Sequence, residues 1–435
     1  MPLSFLSACR GCGGTHLTPA FTIGQDNAWV FCGDANGEHG CGLLQRATIG
    51  GKKPAEPMHR LSWTEQYRLR GAATGALEMV TTRDGRALDI GCGRGDLLSV
   101  FPRWIEPVGI DARLRQSGEK DWGYGIAADF MSDEGQTALH DQKGDGFDIV
   151  TAIDIFDRTD DPRGFLLNVK SLLARDGVFV LETSYAALAL TRTLTSAFHR
   201  HAMAVYSLAT LEHLLREAGL RIVRGAMTET SAGALRLYVT HQDYRGHDYG
   251  PWFDSLARLW DEEASLCLTG RGAHHAYQMR LQARSLEIAA LKQSMIRADE
   301  HAYVLGTCAR TFAMLQGGDF DYEVISAHIG DQPRDGFPEV ITEDVARDAP
   351  ADALIGPSWR RRECLEGWHD QIMAGMRLIF LEPELLVVDH HNYAAELGRA
   401  LAVTDGPGSV ETLRAALRAM RGPNLQVVSE TLRSV

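Results

Sequence analysis

The sequence predicts an α/β fold. A doubly wound parallel sheet stands at the centre, a small cysteine-bearing module precedes it, and a second α/β unit follows. Three observations carry this. Residues 87–100, ALDIGCGRGDLLSV, run from an apolar strand into a glycine-rich turn and on into a new apolar segment. Apolar runs suited to buried strands then alternate with helix-period stripes up to residue 240, the order that winds a parallel sheet. Four of the eight cysteines fall within the first 41 residues, where few apolar side chains are available for a core.

The chain has 435 residues, enough for two or three domains. Composition shifts divide it at 1–57, 58–245, 246–300 and 301–435. Hydrophobic residues make up 45% and charged residues 23%, as in soluble globular proteins. A net charge of -13 repels a phosphate backbone and argues against a general nucleic-acid binder. No apolar run approaches the roughly 18 residues of a membrane span. The start, MPLSFLSACRGC, lacks the apolar stretch of a secretory signal. Free or metal-bound thiols suit a reducing compartment, so a cytoplasmic protein is expected.

In the first module, Cys9 and Cys12 form a CxxC, followed by Cys32 and Cys41. Four thiolates can close a tetrahedral structural zinc site. The second pair is widely spaced, and His39 lies between its members as an alternative to Cys32. Residues 50–57, GGKKPAEP, read as a linker.

Residues 61–80 predict a helix with Trp63 and Tyr67 on one face, most simply as packing residues. A strand at 87–90 ends beside Asp89, and Gly91, Gly93 and Gly95 follow. Glycine permits positive φ and close approach of a ligand, and the helix start behind the turn offers free N–H groups. A bare connector would look similar. However, the next strand, 108–111, ends in Asp111, placed to accept from a ribose diol. Asp129 ends a third strand or lies in a solvated loop. Residues 147–153 form a buried strand, and an acidic loop begins at Asp154, at the sheet end where ligands collect. Asp161 and Pro162 start a helix, residues 178–181 form a strand, and Ser207 caps a helix that stops at Gly219. Strands at 220–223 and 235–240 complete the sheet.

The pattern DxGxGxG from Asp89 to Gly95 resembles motif I of the class I S-adenosylmethionine (SAM) methyltransferases. The resemblance implies that Asp89, Gly91, Gly93 and Gly95 cradle the methionine part of SAM and that Asp111 holds the ribose. It also implies that Asp129 meets the adenine and that Asp154 lies at the cofactor. The order CxxC, CGLLQ, LDIGCGRGD, VFVLETSY, FHRHAMAVYS and GALRLYV is similar to the SAM-dependent sugar C-methyltransferases, over nearly the whole chain. These have an N-terminal zinc-binding part, a central SAM fold and a C-terminal Rossmann-like part, and they act on nucleotide-linked keto-deoxysugars. Their YHEH segment corresponds to Phe198, His199, Arg200 and His201, so His201 inherits the role of base. Longer spacing to Tyr206 leaves His199 as the alternative. Arg200 stands where the family has Glu.

The implied chemistry is coherent. A neutral imidazole, with an ordinary pKa of about 6.5, can take a proton from carbon beside a keto group. The enolate oxygen then needs a donor, for which Arg200 or Tyr185 is placed. Behind the central unit, 247–259 reads as a transition and 279–296 as an amphipathic helix. Strands are expected at 302–305, 322–329, 352–355 and 377–381, with Arg310 near a helix start as a candidate diphosphate contact. A helical tail follows residue 393, clearest at 410–420. Two rival functions remain open at this point: an O- or N-methyltransferase of the same build, and a zinc-containing binding protein without catalysis. A small-molecule acceptor is expected, and oligomeric state is not legible.

Overall fold

The structure is a computed structural model that describes residues 4–34, 36, 38–49, 58, 61–82, 84–228, 233–268, 270–318, 320, 323–331 and 339–404. The linker expected at 50–57 and the tail helix expected at 410–420 lie outside the described residues.

The N-terminal part holds more than cysteines. Strands β1 (Leu17–Ile23), β2 (Asn27–Cys32) and β3 (Leu44–Arg46) pair antiparallel. Alternation of Phe21 with Ile23, and of Trp29 with Phe31, sends one face inward, as the two-residue strand period requires. The sequence reading missed this sheet. Its strands are short, and its fourth member comes from far along the chain.

Helix α1 (Trp63–Leu77) opens the central part with a capping box. Ser62 Oγ accepts from Glu65 N–H at 3.2 Å, and Glu65 Oε2 accepts from Ser62 N–H at 2.8 Å. The helix buries a strip of alanines, and a Cβ at Gly75 would stand 2.0 Å from the Tyr238 hydroxyl. Trp63 and Tyr67, expected as packing residues, are 44% and 69% exposed, so α1 seats on small side chains instead.

The remaining central elements are β4 (Gly85–Ile90), β5 (Ile105–Ile110), β6 (Gly118–Lys120), β7 (Gly123–Ile126), α2 (Asp133–Gln142), β8 (Phe147–Ile153), α3 (Pro162–Leu172) and β9 (Leu173–Ser184). They continue through α4 (Ala186–Thr191), β10 (Ala204–Val205), α5 (Leu208–Glu217), β11 (Leu220–Thr228) and β12 (Ala234–His241). Eight strands form one sheet in the order β11-β12-β9-β8-β4-β5-β7-β6. The strands β7, β5, β4, β8 and β9 run parallel. This corrects the expectation of a wholly parallel sheet. β12 runs antiparallel to both β9 and β11, because the link 229–233 is far too short for a crossover. Asp161 Oδ1 caps α3 by accepting from Gly164 N–H at 2.9 Å, and Ser207 Oγ caps α5 from Thr210 N–H at 3.1 Å. The two-residue β10 leaves the central sheet and pairs with β3, Val205 opposite Leu44, so the N-terminal sheet is finished by the central chain.

Residues 247–259, read as a transition, lie largely in α6 (Gly250–Ser265), whose Leu256 and Leu259 pack on β11. Helix α7 (Arg271–Ala298) follows and touches β1. The last part holds β13 (Ala302–Leu305), α8 (Ala309–Gly317), β14 (Ile325–Ile329), β15 (Val340–Ile341), α9 (Glu343–Asp348), β16 (Ala353–Ile355), α10 (Arg361–Gly367), α11 (His369–Met373), β17 (Arg377–Phe380), β18 (Leu386–Val388) and α12 (Tyr393–Thr404). Its sheet has the order β15-β14-β13-β16-β17-β18, parallel except for β18. The order reverses between β13 and β16. Among the described residues, no helix is long and apolar enough to cross a membrane.

Candidate active site

The glycine turn leaves β4 with Gly91, Gly93 and Gly95 at φ of 78°, 54° and 82°, a region that side chains rarely adopt. At two positions, packing also demands glycine. A Cβ at Gly91 would lie 2.4 Å from Ile155 Cγ1, and one at Gly95 would lie 2.3 Å from Trp122. Gly93 is the open point of the turn, with only Arg113 near, at 3.7 Å.

Two acids frame this turn. Asp89 is buried, and its carboxyl accepts from the Thr151 hydroxyl at 2.6 Å. Burial pushes it up to about 7, although Thr151 opposes the shift. Asp111 ends β5 and accepts from Gly93 N–H at 2.9 Å and Arg113 N–H at 2.8 Å. The Arg113 guanidinium adds contacts of 2.9 and 2.6 Å. Burial alone would raise the Asp111 carboxyl, but Arg113 more than offsets it and the group lies below its ordinary value. Asp129 is exposed, its carboxylate accepting from Met131 N–H at 2.8 Å in the turn before α2.

The loop after β8 connects this turn to the histidines. Asp154, at φ 57°, meets Arg68 at 2.7 Å and Arg310 at 3.2 Å. Its carboxyl is raised by burial and lowered further by the two arginines, with a net downward shift. Arg68 and Arg236 also enclose the buried Glu182. Arg310 comes from the first turn of α8 and donates to Ser184 Oγ at 3.1 Å. It is therefore engaged by the loop after β8 and the end of β9 rather than standing free for a diphosphate.

Ile155 covers Gly91, and two residues on, the fully buried Asp157 faces His199 Nε2 at 3.5 Å. Burial lowers the His199 imidazole to about 4, against the pull of Asp157, so the ring is neutral near pH 7. His199 Nδ1 accepts from the backbone N–H of His201 at 3.3 Å, which leaves the proton on Nε2, toward Asp157. His201 is half-buried, and Arg200 Nε donates to its Nε2 at 3.2 Å. Tyr185 is buried near Glu263; burial first, then the Glu263 charge, holds its hydroxyl well above the ordinary value. Of the two donors expected for an enolate, the structure places Arg200 at His201, while Tyr185 lies buried near Glu263.

Asp157, Arg68 and Arg310 were not singled out from sequence for this cluster. Asp157 lay inside the acidic loop already noted. Arg68 arrives from a helix before the central sheet and Arg310 from helix α8 far behind it, so no local spacing marks them.

In the N-terminal part, Cys9 Sγ lies 3.6 Å from Cys41 Sγ, and Cys12 Sγ lies 3.5 Å from Cys32 Sγ. All four thiols are free of disulfides, and their sulfurs lie within 4.8 Å of one another. Zinc–sulfur bonds of about 2.3 Å in a tetrahedron place sulfurs about 3.8 Å apart, so the four residues fit the ion. Gly11 and Gly14 donate N–H to Cys9 and Cys12 sulfurs at 3.3 and 3.4 Å. His39 belongs to a separate exposed group, with Nδ1 at 3.1 Å from Asp34. A cleft of about 340 Å³ lies between α1 and the C-terminal part, lined by Trp63, Leu305, Arg347, Arg360 and Trp368 among others.

Residues 63–224 match a family described as a methyltransferase domain. No curated protein matches the chain. Among solved structures, magnesium protoporphyrin IX methyltransferase of Synechocystis PCC 6803 with bound SAH is 14% identical, over 42% of this chain and 89% of its own, with a TM-score of 0.31. The Burkholderia thailandensis 1,6-didemethyltoxoflavin-N1-methyltransferase is 15% identical, over 52% of this chain and all (100%) of its own, with a TM-score of 0.32. The N-methyltransferase NodS of Bradyrhizobium japonicum WM9 is 15% identical, over 42% and 89%, with a TM-score of 0.31. The segment 63–224, which carries the glycine turn and the parallel strands of the central sheet, is thus similar to a methyltransferase domain.

Proposed function

We propose that this protein transfers the methyl group of SAM to a carbon beside a keto group, on a nucleotide-linked deoxysugar or a related small metabolite. The observation that carries this is the chain His201–His199–Asp157, joined to the glycine turn by the four residues 154–157. On this reading the His201 imidazole would make the carbon nucleophile.

The residues at the turn fit SAM: a left-handed glycine with open space at 93, and a buried carboxylate beside it. Asp89, Gly91, Gly93 and Gly95 would shape the turn around the methionine part. Asp111 would take the ribose hydroxyls in competition with Arg113, and Asp129, exposed at the rim, would meet the adenine. SAM supplies an electrophilic methyl on a sulfonium. The chain's own groups do the rest. His201 takes the proton from carbon, and His199, neutral and tied to Asp157, fixes the backbone that carries it. Arg200, now on His201 Nε2, turns to the oxygen that gains charge. Asp154 holds Arg310 and thereby the C-terminal part. Cys9, Cys12, Cys32 and Cys41 would hold a structural zinc; four protein ligands leave no open position for chemistry.

The test is incubation with SAM and dTDP-linked keto-deoxysugars in D2O. Exchange of the α-proton should accompany methylation and vanish in His201→Ala. Methyl transfer without exchange would assign the acceptor atom to oxygen or nitrogen instead. Full activity in His201→Ala, with loss in His199→Ala, would move the base to position 199.

A further inference from the structure

The segment that carries the histidines has almost no regular structure of its own. It runs from a short 3-10 turn (Ser196–Phe198) through His199 and His201 to β10. A bare loop of that kind would not hold an imidazole to within an ångström, yet Thr195, Ser196 and His199 are at most 1% exposed. The hydrogen bonds show what holds it, and they come from both flanking parts of the molecule.

From the C-terminal side, Glu382 follows β17 and is 1% exposed. Its Oε2 accepts from Thr195 N–H at 2.8 Å, Thr195 Oγ1 at 3.0 Å and Ser196 N–H at 3.3 Å, and its Oε1 accepts from the Ser196 hydroxyl. One buried carboxylate thus takes four donors from the two residues that open the turn. Charge-assisted bonds of this kind are roughly twice as strong as neutral ones. From the N-terminal side, Arg46 ends β3 and lies under the far end of the segment. Its Nη2 donates to His199 O at 2.7 Å and its Nε to Ala202 O at 3.0 Å. Asn27, at the start of β2, adds Nδ2 to Phe198 O at 2.7 Å. None of these three side chains belongs to the methyltransferase domain at 63–224.

We propose that Arg46 and Glu382 are positioning residues that clamp the histidine segment from opposite sides, so the two flanking parts of the chain set the geometry of His199 and His201. The proposal rests on the reading of His201 as the base for its functional meaning, but its structural content stands apart from it. Glu382 fixes where the segment begins, and Arg46 fixes the carbonyls on either side of His201. Loss of either side chain frees the ring positions while the glycine turn, built on β4 and β5, keeps its shape. The cysteine module then has a function beyond its own folding: it delivers Arg46 and Asn27 to the site.

The test uses the full chain labelled with 13C at histidine Cε1, as Glu382→Gln and Arg46→Gln, with isothermal calorimetry on S-adenosylhomocysteine (SAH) alongside. The His199 and His201 resonances should shift in both variants, while His241, in β12 and bonded to Leu173 O, stays in place. The Kd for SAH should remain within twofold of the unsubstituted protein. An unmoved His201 resonance in both variants overturns the clamp. If a variant also displaces His241, Ser196→Ala, which deletes a single donor to Glu382, is judged by the same resonances. Absence of SAH heat in the unsubstituted protein would sink the methyl-transfer reading and leave the clamp to be decided by the resonances alone.

Discussion

Asp89→Asn should make the central sheet more stable at alkaline pH and change little in acid. Asp89 sits at the end of β4 at 5% exposure, with Thr151 Oγ1 at 2.6 Å as its donor. Its carboxyl is raised to about 7. An unfolded chain would release that proton near 3.9, so the shift is about three units, or roughly 4 kcal/mol at 1.4 kcal/mol per unit. The sign follows from proton binding. Between pH 4 and pH 7 the folded state keeps a proton that the unfolded state has lost, so stability falls as pH rises and levels off above 7. Asparagine has nearly the same shape, stays neutral and still accepts from Thr151. Its stability relative to the unsubstituted chain should therefore climb by up to about 4 kcal/mol between pH 4 and pH 8, and by about half that if the interior screens well. Urea unfolding followed by hydrogen exchange in peptides covering Gly85–Ile90 reads this sheet apart from the other parts. A difference between variant and parent that is the same at both pH values would refute the assignment of a buried, protonated Asp89.

Other variants probe the remaining parts. Gly95→Ala combines a φ of 82° with a Cβ 2.3 Å from Trp122, so it should cost about 1–3 kcal/mol and weaken SAH binding; an unchanged melting temperature and Kd would contradict this. Cys41→Ser should lower bound zinc, measured by atomic emission, from one equivalent to well below one, and retention of a full equivalent would remove Cys41 from the ligand set. A double-mutant cycle between Arg310→Met and Asp154→Asn should show a coupling of about 0.5–3 kcal/mol, since the pair meets at 3.2 Å between α8 and the loop after β8. Additive effects would make that contact energetically idle.

How far the sequence could be read depended on whether an element was local. The strand at Phe147–Ile153, the Asp161 and Ser207 caps and the turn at Gly219 are set by neighbouring residues, and their periodicity and caps announce them. The pairing of β10 with β3 joins Val205 to Leu44 across most of the central part, and two residues carry no periodicity. The reversal of β12 follows from the short link at 229–233, whose length depends on strand ends at Thr228 and Ala234 that lie beyond the expected 220–223 and 235–240. At the site, the glycine turn and Asp111 follow a spacing rule. Arg46, Arg68, Arg310 and Glu382 obey none, because each is brought in by the packing of another sheet or helix. Tyr185 shows the converse: a favourable position in sequence, beside VFVLETS, yet a ring that is buried.

The decisive measurement is calorimetric titration of SAH into the unsubstituted protein and into Asp111→Ala. A donor molecule at the glycine turn predicts saturable binding at one site per chain. Loss of charge-assisted bonds to the ribose, worth about 1.5–3 kcal/mol, should weaken that binding at least about tenfold in the variant. Equal affinity in the two proteins, or no heat in either, would contradict a methyl donor held by Asp111 beside Gly93.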